Sequence, residues 1–184
     1  TEKLLESMKI IRNKKDALKR FYNLRKHNLA PVSGRDALLV TQLSFFDDPV
    51  RFTEKLNELC DELDDRVKND ISPFKKATKR ILLSGTPQAL PNWKLHDIIE
   101  KSGASIVCEE TCTGTRYFDR GEQPKDGSSM DQLMDSIAHD GMDVNCACFT
   151  PNDKRTDDII RLFKEYNADG VIYEDLAFCT NYSI

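Results

Sequence analysis

The chain has 184 residues, 27 of them basic and 31 acidic, with 39% hydrophobic side chains. A chain of that length buries a core without staples, so one globular domain or two small ones are expected. Its apolar runs stop at four or five residues, too short for a helix that crosses a bilayer, and no membrane partner is expected.

The net charge of −4 conceals an asymmetry, because residues 1–28 hold nine Lys/Arg against three Asp/Glu. A basic helix can serve nucleic acid. Here no aromatic residues are interleaved and no nucleic-acid motif is present. The preferred reading is a solvated helix face paired with acidic neighbours, and no nucleic acid is expected. No apolar stretch of signal type stands at the start. A cytoplasmic chain with reduced thiols is therefore expected.

Residues 2–27 read as one amphipathic helix, with Leu4, Leu5, Met8, Ile11, Leu18, Phe21, Tyr22 and Leu24 near a 3.6-residue period. Pro31 and Ser33-Gly34 interrupt the chain. A second helix is predicted over 36–46 and a third over 49–68, with Phe52, Leu56, Leu59, Cys60, Leu63 and Val67 as its apolar stripe. Cys60 inside that stripe reads as a core filler. From residue 79 the texture changes. Arg80–Gly85 is a short apolar run stopped by glycine, a predicted buried strand. A helix follows over 91–101, with Pro91 suited to its first turn and Gly103 placed to stop it. Strand two is predicted at 105–108, a polar loop at 119–128, a helix at 130–138, strand three at 142–148, a helix at 153–167 and strand four at 170–173.

Alternating strands and helices with short connections imply a parallel sheet covered on both faces. The expected fold is α/β: a flavodoxin- or Rossmann-like four-stranded parallel sheet over residues 79–184. An all-helical linker region over residues 1–78 precedes it.

The six cysteines are Cys60, Cys108, Cys112, Cys146, Cys148 and Cys179. In an open parallel sheet, ligands bind beyond the carboxyl ends of the strands. Cys112 follows strand two, Cys146 and Cys148 end strand three, and Cys179 follows strand four. Topology alone would gather three thiol-bearing loops on one edge. The loop Ser84–Pro91 opens there too and leads into a helix N-terminus, which favours an anionic group. Soft thiolates select zinc, copper(I) or iron–sulfur clusters. A set without nearby histidine favours iron–sulfur, since His96 lies on a helix and His27 and His139 are isolated. The spacing matches neither zinc-ribbon nor ferredoxin patterns, so plain buried cysteines stay open as a reading. Cys108, within strand two, fits that reading best. Of the Cys146/Cys148 pair, Cys148 is preferred because it lies nearer the strand end. Cys146-Ala-Cys148 is tight for a disulfide and lacks the C-x-x-C redox pattern.

Four stretches carry a resemblance: Arg80-Ile-Leu-Leu-Ser-Gly-Thr-Pro87, Gly103 to Arg116, Asn145-Cys-Ala-Cys-Phe-Thr-Pro-Asn152 and Ala168 to Cys179. Together they resemble the 2-hydroxyacyl-CoA dehydratase D-component family, which includes benzoyl-CoA reductase subunits and double-cubane cluster proteins. The segments Glu110–Arg116 and Gly170–Cys179 are its specific parts. The resemblance implies an iron–sulfur cluster, [4Fe-4S] or a double-cubane [8Fe-9S], held by Cys112, Cys148 and Cys179, with Cys146 as second choice. It implies an ATP-dependent activator iron–sulfur protein as electron donor and a homologous or identical partner subunit. The reaction implied is dehydration of a 2-hydroxyacyl-CoA through a ketyl radical. The Asn145–Asn152 stretch looks more like the double-cubane branch, in which a small molecule is reduced instead. The alternative function is a non-catalytic scaffold or zinc-binding domain that keeps the fold without the cluster. Family subunits are about twice as long, so the chain is expected to be part of a larger two-domain subunit.

Other residues have two readings each. Arg116 either donates to a cluster sulfide or an anionic substrate, or pairs with Glu109 or Glu110. Glu109 and Glu110 are either acid/base groups or exposed carboxylates, the latter preferred. Ser84 and Thr86 either donate to the site or cap the helix near Pro91. Trp93 is expected in the core.

Overall fold

The structure is a computed structural model, and it describes residues 1–184 except Leu90, Glu122, Ser183 and Ile184. Leu90 of the Ser84–Pro91 loop and Glu122 of the 119–128 loop therefore lie outside the described residues.

Helix α1 (Glu2–Leu24) buries Leu18, Phe21 and Tyr22. Helix α2 (Gly34–Leu43) starts where the Ser33 hydroxyl accepts from the Asp36 N–H, a standard helix cap. The predicted 36–46 helix is thus shifted toward the N-terminus, and residues 44–46 form turns. A Cβ on Gly34 would stand 2.6 Å from the Ile106 Cβ, so glycine lets α2 approach the sheet closely. Helix α3 (Pro49–Lys68) has Pro49 in its first turn and is capped by the Asp48 carboxylate, which accepts from Val50 and Arg51. Phe52, Leu56, Cys60 and Leu63 form its buried face, as the periodicity predicts.

Strands β1 (Lys79–Gly85), β2 (Ala104–Glu110) and β3 (Gly170–Glu174) form one parallel sheet in the order β2-β1-β3. Between β1 and β2 lies helix α4 (Lys94–Lys101). Between β2 and β3 lie α5 (Thr115–Phe118), α6 (Met130–Met142) and α7 (Asp153–Glu165). The register passes from Ile81 opposite Ile106 to Leu82 opposite Cys108, which makes Val107 the extra residue of a bulge. Both Val107 and Cys108 then join Leu82, Phe21, Tyr22 and Leu162 in the larger core. Leu83, Ile99 and Ile106 form a smaller core under α4, on the other face. Apolar residues of α1 and α3 belong to the same cluster as those of the sheet, so the N-terminal helices and the sheet share one core.

The sheet has three described strands, not the expected four. Residues 142–148 are not a strand: α6 runs to Met142 and residues 147–150 form turns. The physical reason is local hydrogen bonding. Cys146 N–H donates to the Val144 carbonyl (2.8 Å), Phe149 N–H to the Cys146 carbonyl (3.1 Å), and the Asn152 amide also donates to the Cys146 carbonyl (2.9 Å). Cys146, in the middle of the segment, thus has both its N–H and its carbonyl committed to local partners rather than to a ladder. The helix expected from Pro91 starts only at Lys94, because Asn92 N–H closes a turn onto the Ala89 carbonyl. No described helix is long and apolar enough to cross a membrane.

Candidate thiol site at the carboxyl edge of the sheet

The strands are parallel, so Gly85, Glu110 and Glu174 end on one edge. Gly85 has φ +127°, and a Cβ there would fall 1.9 Å from the Glu174 carbonyl oxygen. Only glycine permits β1 to close on β3 at this point. Thr86 N–H then donates to the same carbonyl at 3.1 Å.

Cys112 lies in the turn after β2 and is exposed. Cys146 (half-buried) and Cys148 (exposed) lie in the irregular segment before α7, and Cys179 (half-buried) lies in the turn after β3. None of the six cysteines is in a disulfide. Cys60 and Cys108 are fully buried in the core, away from this edge. Tyr182 joins the loops. Its hydroxyl is 3.7 Å from the Cys112 sulfur and 3.9 Å from the Cys146 sulfur. The Asn181 amide donates to the Cys148 sulfur at 3.3 Å. Tyr182 N–H donates to the Cys179 carbonyl at 3.1 Å, so Cys179 starts the turn that presents Asn181 and Tyr182. As placed, no three His, Cys, Asp or Glu side chains among the described residues stand close enough to share one ion.

Arg116 organises the inner side. Its Nη2 donates to Glu110 Oε2 (2.7 Å) and to the Glu110 carbonyl (3.0 Å), and its Nε donates to Glu110 Oε1. Its Nη1 donates to the Tyr182 hydroxyl and reaches the Cys112 sulfur at 3.7 Å. The pairing reading of Arg116 holds, with Glu110 as the partner, and its Nη1 also faces the Cys112 sulfur. Burial works against the guanidinium charge, but the hydrogen bond and charge of Glu110 outweigh it, and the Arg116 pKa is raised. Ser84 donates to Glu110 Oε2 at 2.7 Å, while the Thr86 hydroxyl is buried and has no hydrogen-bond partner among the described residues. Neither residue caps a helix at Pro91.

The expectation of exposed carboxylates at 109 and 110 is corrected, since both are buried. Glu109 faces the opposite side, where Arg25 donates twice to it (2.6 and 3.0 Å), Tyr22 donates at 2.8 Å, and His96 Nε2 lies 3.4 Å away. A buried carboxylate is tolerated only when paired this fully. Trp93 is half-buried, its indole N–H 3.4 Å from Gln42 Oε1, so it sits at the core margin rather than within it.

Burial opposes ionisation of Cys146, yet the Cys148 backbone and thiol, the Tyr182 hydroxyl and the Arg116 charge outweigh it and lower its pKa. The Cys148 thiol is pushed the other way, first by its hydrogen bond to Cys146 and then by that neighbour's charge. Of the two thiols, Cys146 is thus the one that ionises more readily. A cavity of about 230 Å³ opens beside Cys112, lined also by Lys15, Arg116, Tyr117, Arg120 and Asp140. A larger one, about 680 Å³, opens at the opposite edge around Lys79, Arg80 and Asp169 and has no cysteine in its wall.

Sequence reasoning missed Tyr182, Asn181 and Arg25. The first two carry one signal, their place within three residues of Cys179. Arg25 carries none, because its partner is 84 residues away.

The family model for the 2-hydroxyglutaryl-CoA dehydratase D-component matches residues 1–184. The chain belongs to this family. It is 28% identical over 185 residues to YjiM of Escherichia coli (strain K12), a protein whose designation as a dehydratase subunit is provisional; the match covers 98% of this chain and 46% of that protein. It is 28% identical over 143 residues to the (R)-phenyllactyl-CoA dehydratase beta subunit of Clostridium sporogenes, covering 76% of this chain and 34% of that subunit. This D-component chain thus spans less than half the length of either relative.

Proposed function

We propose that this chain is the thiol-bearing part of a dehydratase-type subunit and that its carboxyl-edge loops hold an iron–sulfur cluster. One observation carries the reading: Cys112 and Cys146, from loops 34 residues apart, meet on the Tyr182 hydroxyl, with Cys148 two residues from Cys146 and Cys179 three residues before that tyrosine. The donor chemistry fits the group. Several thiols gather with a guanidinium, an amide and a phenol aimed at sulfur, which is the surrounding that anionic sulfur requires. Cys112, Cys148 and Cys179 are the proposed ligands, and Cys146 is the second choice for the middle one.

When bound, such a cluster supplies a low-potential electron, either to the thioester of a 2-hydroxyacyl-CoA for dehydration or, in a double-cubane arrangement, to a small molecule. The chain's own residues prepare for this. Arg116 brings a fixed positive charge to the thiols. Glu110 keeps that guanidinium in one orientation, and the Arg155 guanidinium lies over the Tyr182 ring, 5.1 Å from its centroid. The cavity beside Cys112 leaves room for a small group to approach. An ATP-dependent activator iron–sulfur protein would deliver the electron, and a homologous or identical subunit would complete the assembly.

The test is iron and acid-labile sulfide per chain in the full-length protein purified without oxygen, with an EPR spectrum after reduction. Four or more irons with matching sulfide support the proposal, and the count separates one cubane from two. If Cys112→Ser, Cys148→Ser and Cys179→Ser all leave iron content unchanged, the proposal fails. Zinc or no metal in the wild type would instead mark a scaffold that keeps the fold.

A further inference from the structure

We propose that Tyr182, oriented by Arg116, is the positioning residue of the thiol site: its hydroxyl sits between Cys112 and Cys146 and supplies its one proton to a sulfur of that pair. The inference rests on the thiol-site reading above and adds a residue to it.

The argument is a count of protons. An arginine guanidinium donates and never accepts. The contact between Arg116 Nη1 and the Tyr182 oxygen is therefore one in which tyrosine accepts. The tyrosine's own proton is left over. Its neighbours at hydrogen-bonding range are the sulfurs of Cys112 (3.7 Å) and Cys146 (3.9 Å). A phenol that already accepts from a cation is a stronger donor, and donation to an anionic sulfur is charge-assisted. Arg116 thus acts on the site twice, directly on Cys112 and through the Tyr182 hydroxyl on Cys146.

The ring is held where this requires. The Arg155 guanidinium lies 5.1 Å from the Tyr182 ring centroid and that of Arg116 lies 5.5 Å from it. The Tyr173 hydroxyl donates to the Tyr182 carbonyl at 3.0 Å and anchors the turn. Tyr182 is 8% exposed although it lies in a surface loop. A merely space-filling aromatic would need neither the guanidinium at its oxygen nor two sulfurs beside it.

The experiment uses the full-length protein with two variants, Tyr182→Phe and 3-fluorotyrosine at position 182. The first removes one hydroxyl. The second keeps the shape and strengthens the donor, so it stays informative if the first does not fold. Two readouts are taken. In the iron-loaded protein, the midpoint potential is followed by EPR. A lost donor to ligand sulfur disfavours the reduced state. Tyr182→Phe is therefore expected to cut the reduced-to-oxidised ratio about tenfold at a set potential, roughly 59 mV for one electron. The fluorinated residue moves it the opposite way. In the metal-free protein, Cd²⁺ binding is followed by its thiolate charge-transfer absorption, and Tyr182→Phe is expected to weaken it at least fivefold. Unchanged potential and unchanged Cd²⁺ affinity in folded variants overturn the proposal. If the wild type takes up no iron, the cluster reading falls, and the Cd²⁺ measurement still decides the role of Tyr182.

Discussion

The Arg116 guanidinium and the Glu110 carboxylate form a bidentate ion pair, both side chains at most 3% exposed, directly behind the thiol edge. Glu110 is the last residue of β2 and Arg116 lies in the single turn of α5. The pair therefore fixes the loop that carries Cys112 between them. Breaking a buried pair by removing one partner leaves an uncompensated charge and costs about 3–5 kcal/mol. Glu110→Ala and Arg116→Ala are each expected to lose that much in urea denaturation. The double variant should lose less than the sum, because the two residues act as one unit.

The Arg25–Glu109 pair contributes to the acid limb of stability. Glu109 is buried, which alone would raise its pKa. The Arg25 charge, the neighbouring His96 and the Arg25 hydrogen bonds outweigh this and bring it down to about 2. A folded pKa below the unfolded value of about 4.5 stabilises the fold at neutral pH, and the contribution is lost as pH falls from about 4.5 toward 2. The contribution is on the order of 3 kcal/mol. Unfolding free energies measured from pH 7 to 2 should fall steeply in that window. Glu109→Gln should be less stable at pH 7 and visibly less steep through the window, the remainder coming from Asp143, Glu165 and Asp169, whose pKa values are also lowered, and an equally steep limb would contradict the assignment.

Cysteines of the core and of the edge should separate by their failures. Cys60→Ser and Cys108→Ser each bury a hydroxyl in an apolar cluster, costing about 1–3 kcal/mol if it finds no partner, with iron content unchanged. Cys112→Ser, at an exposed position, should leave thermal stability of the metal-free protein nearly unchanged while iron is lost. Thermal melts and metal analysis on the same preparations test both halves.

Gly85→Ala should open the edge of the sheet. The residue has φ +127°, and the added Cβ would collide with the Glu174 backbone. Strain of this kind costs about 1–3 kcal/mol before the clash is counted. A melting temperature lower by roughly 4–8 °C is expected. Gly103→Ala also has positive φ (92°) but meets nothing within 4 Å, so it should lose less.

Local patterns made much of this molecule legible. The apolar stripe of α3, the Asp48-Pro49 start, the glycine-terminated run of β1 and the helical period of α7 are statements about neighbours in sequence, and the fold keeps them. The same holds for Cys60 and Cys108, whose apolar surroundings lie within a few residues. The segment 142–148 reads as a strand yet forms none, because a short stretch can look extended while its neighbours supply turn-forming bonds. Those bonds come from Asn152 and the Val144 carbonyl, and alternation of residue type does not report them.

Residue type and order by themselves determined that Cys112 and Cys179 would fall after strand ends, since parallel strands bring their carboxyl ends to one edge; Cys146 and Cys148 instead lie in an irregular segment that follows no strand. Only the tertiary structure decided how those thiols are arranged. Tyr182 must fold back 70 residues in sequence to reach Cys112, and Arg25 must cross 84 to neutralise Glu109. Such pairings depend on which surfaces the shared core turns toward each other, and no periodicity within one element records that choice.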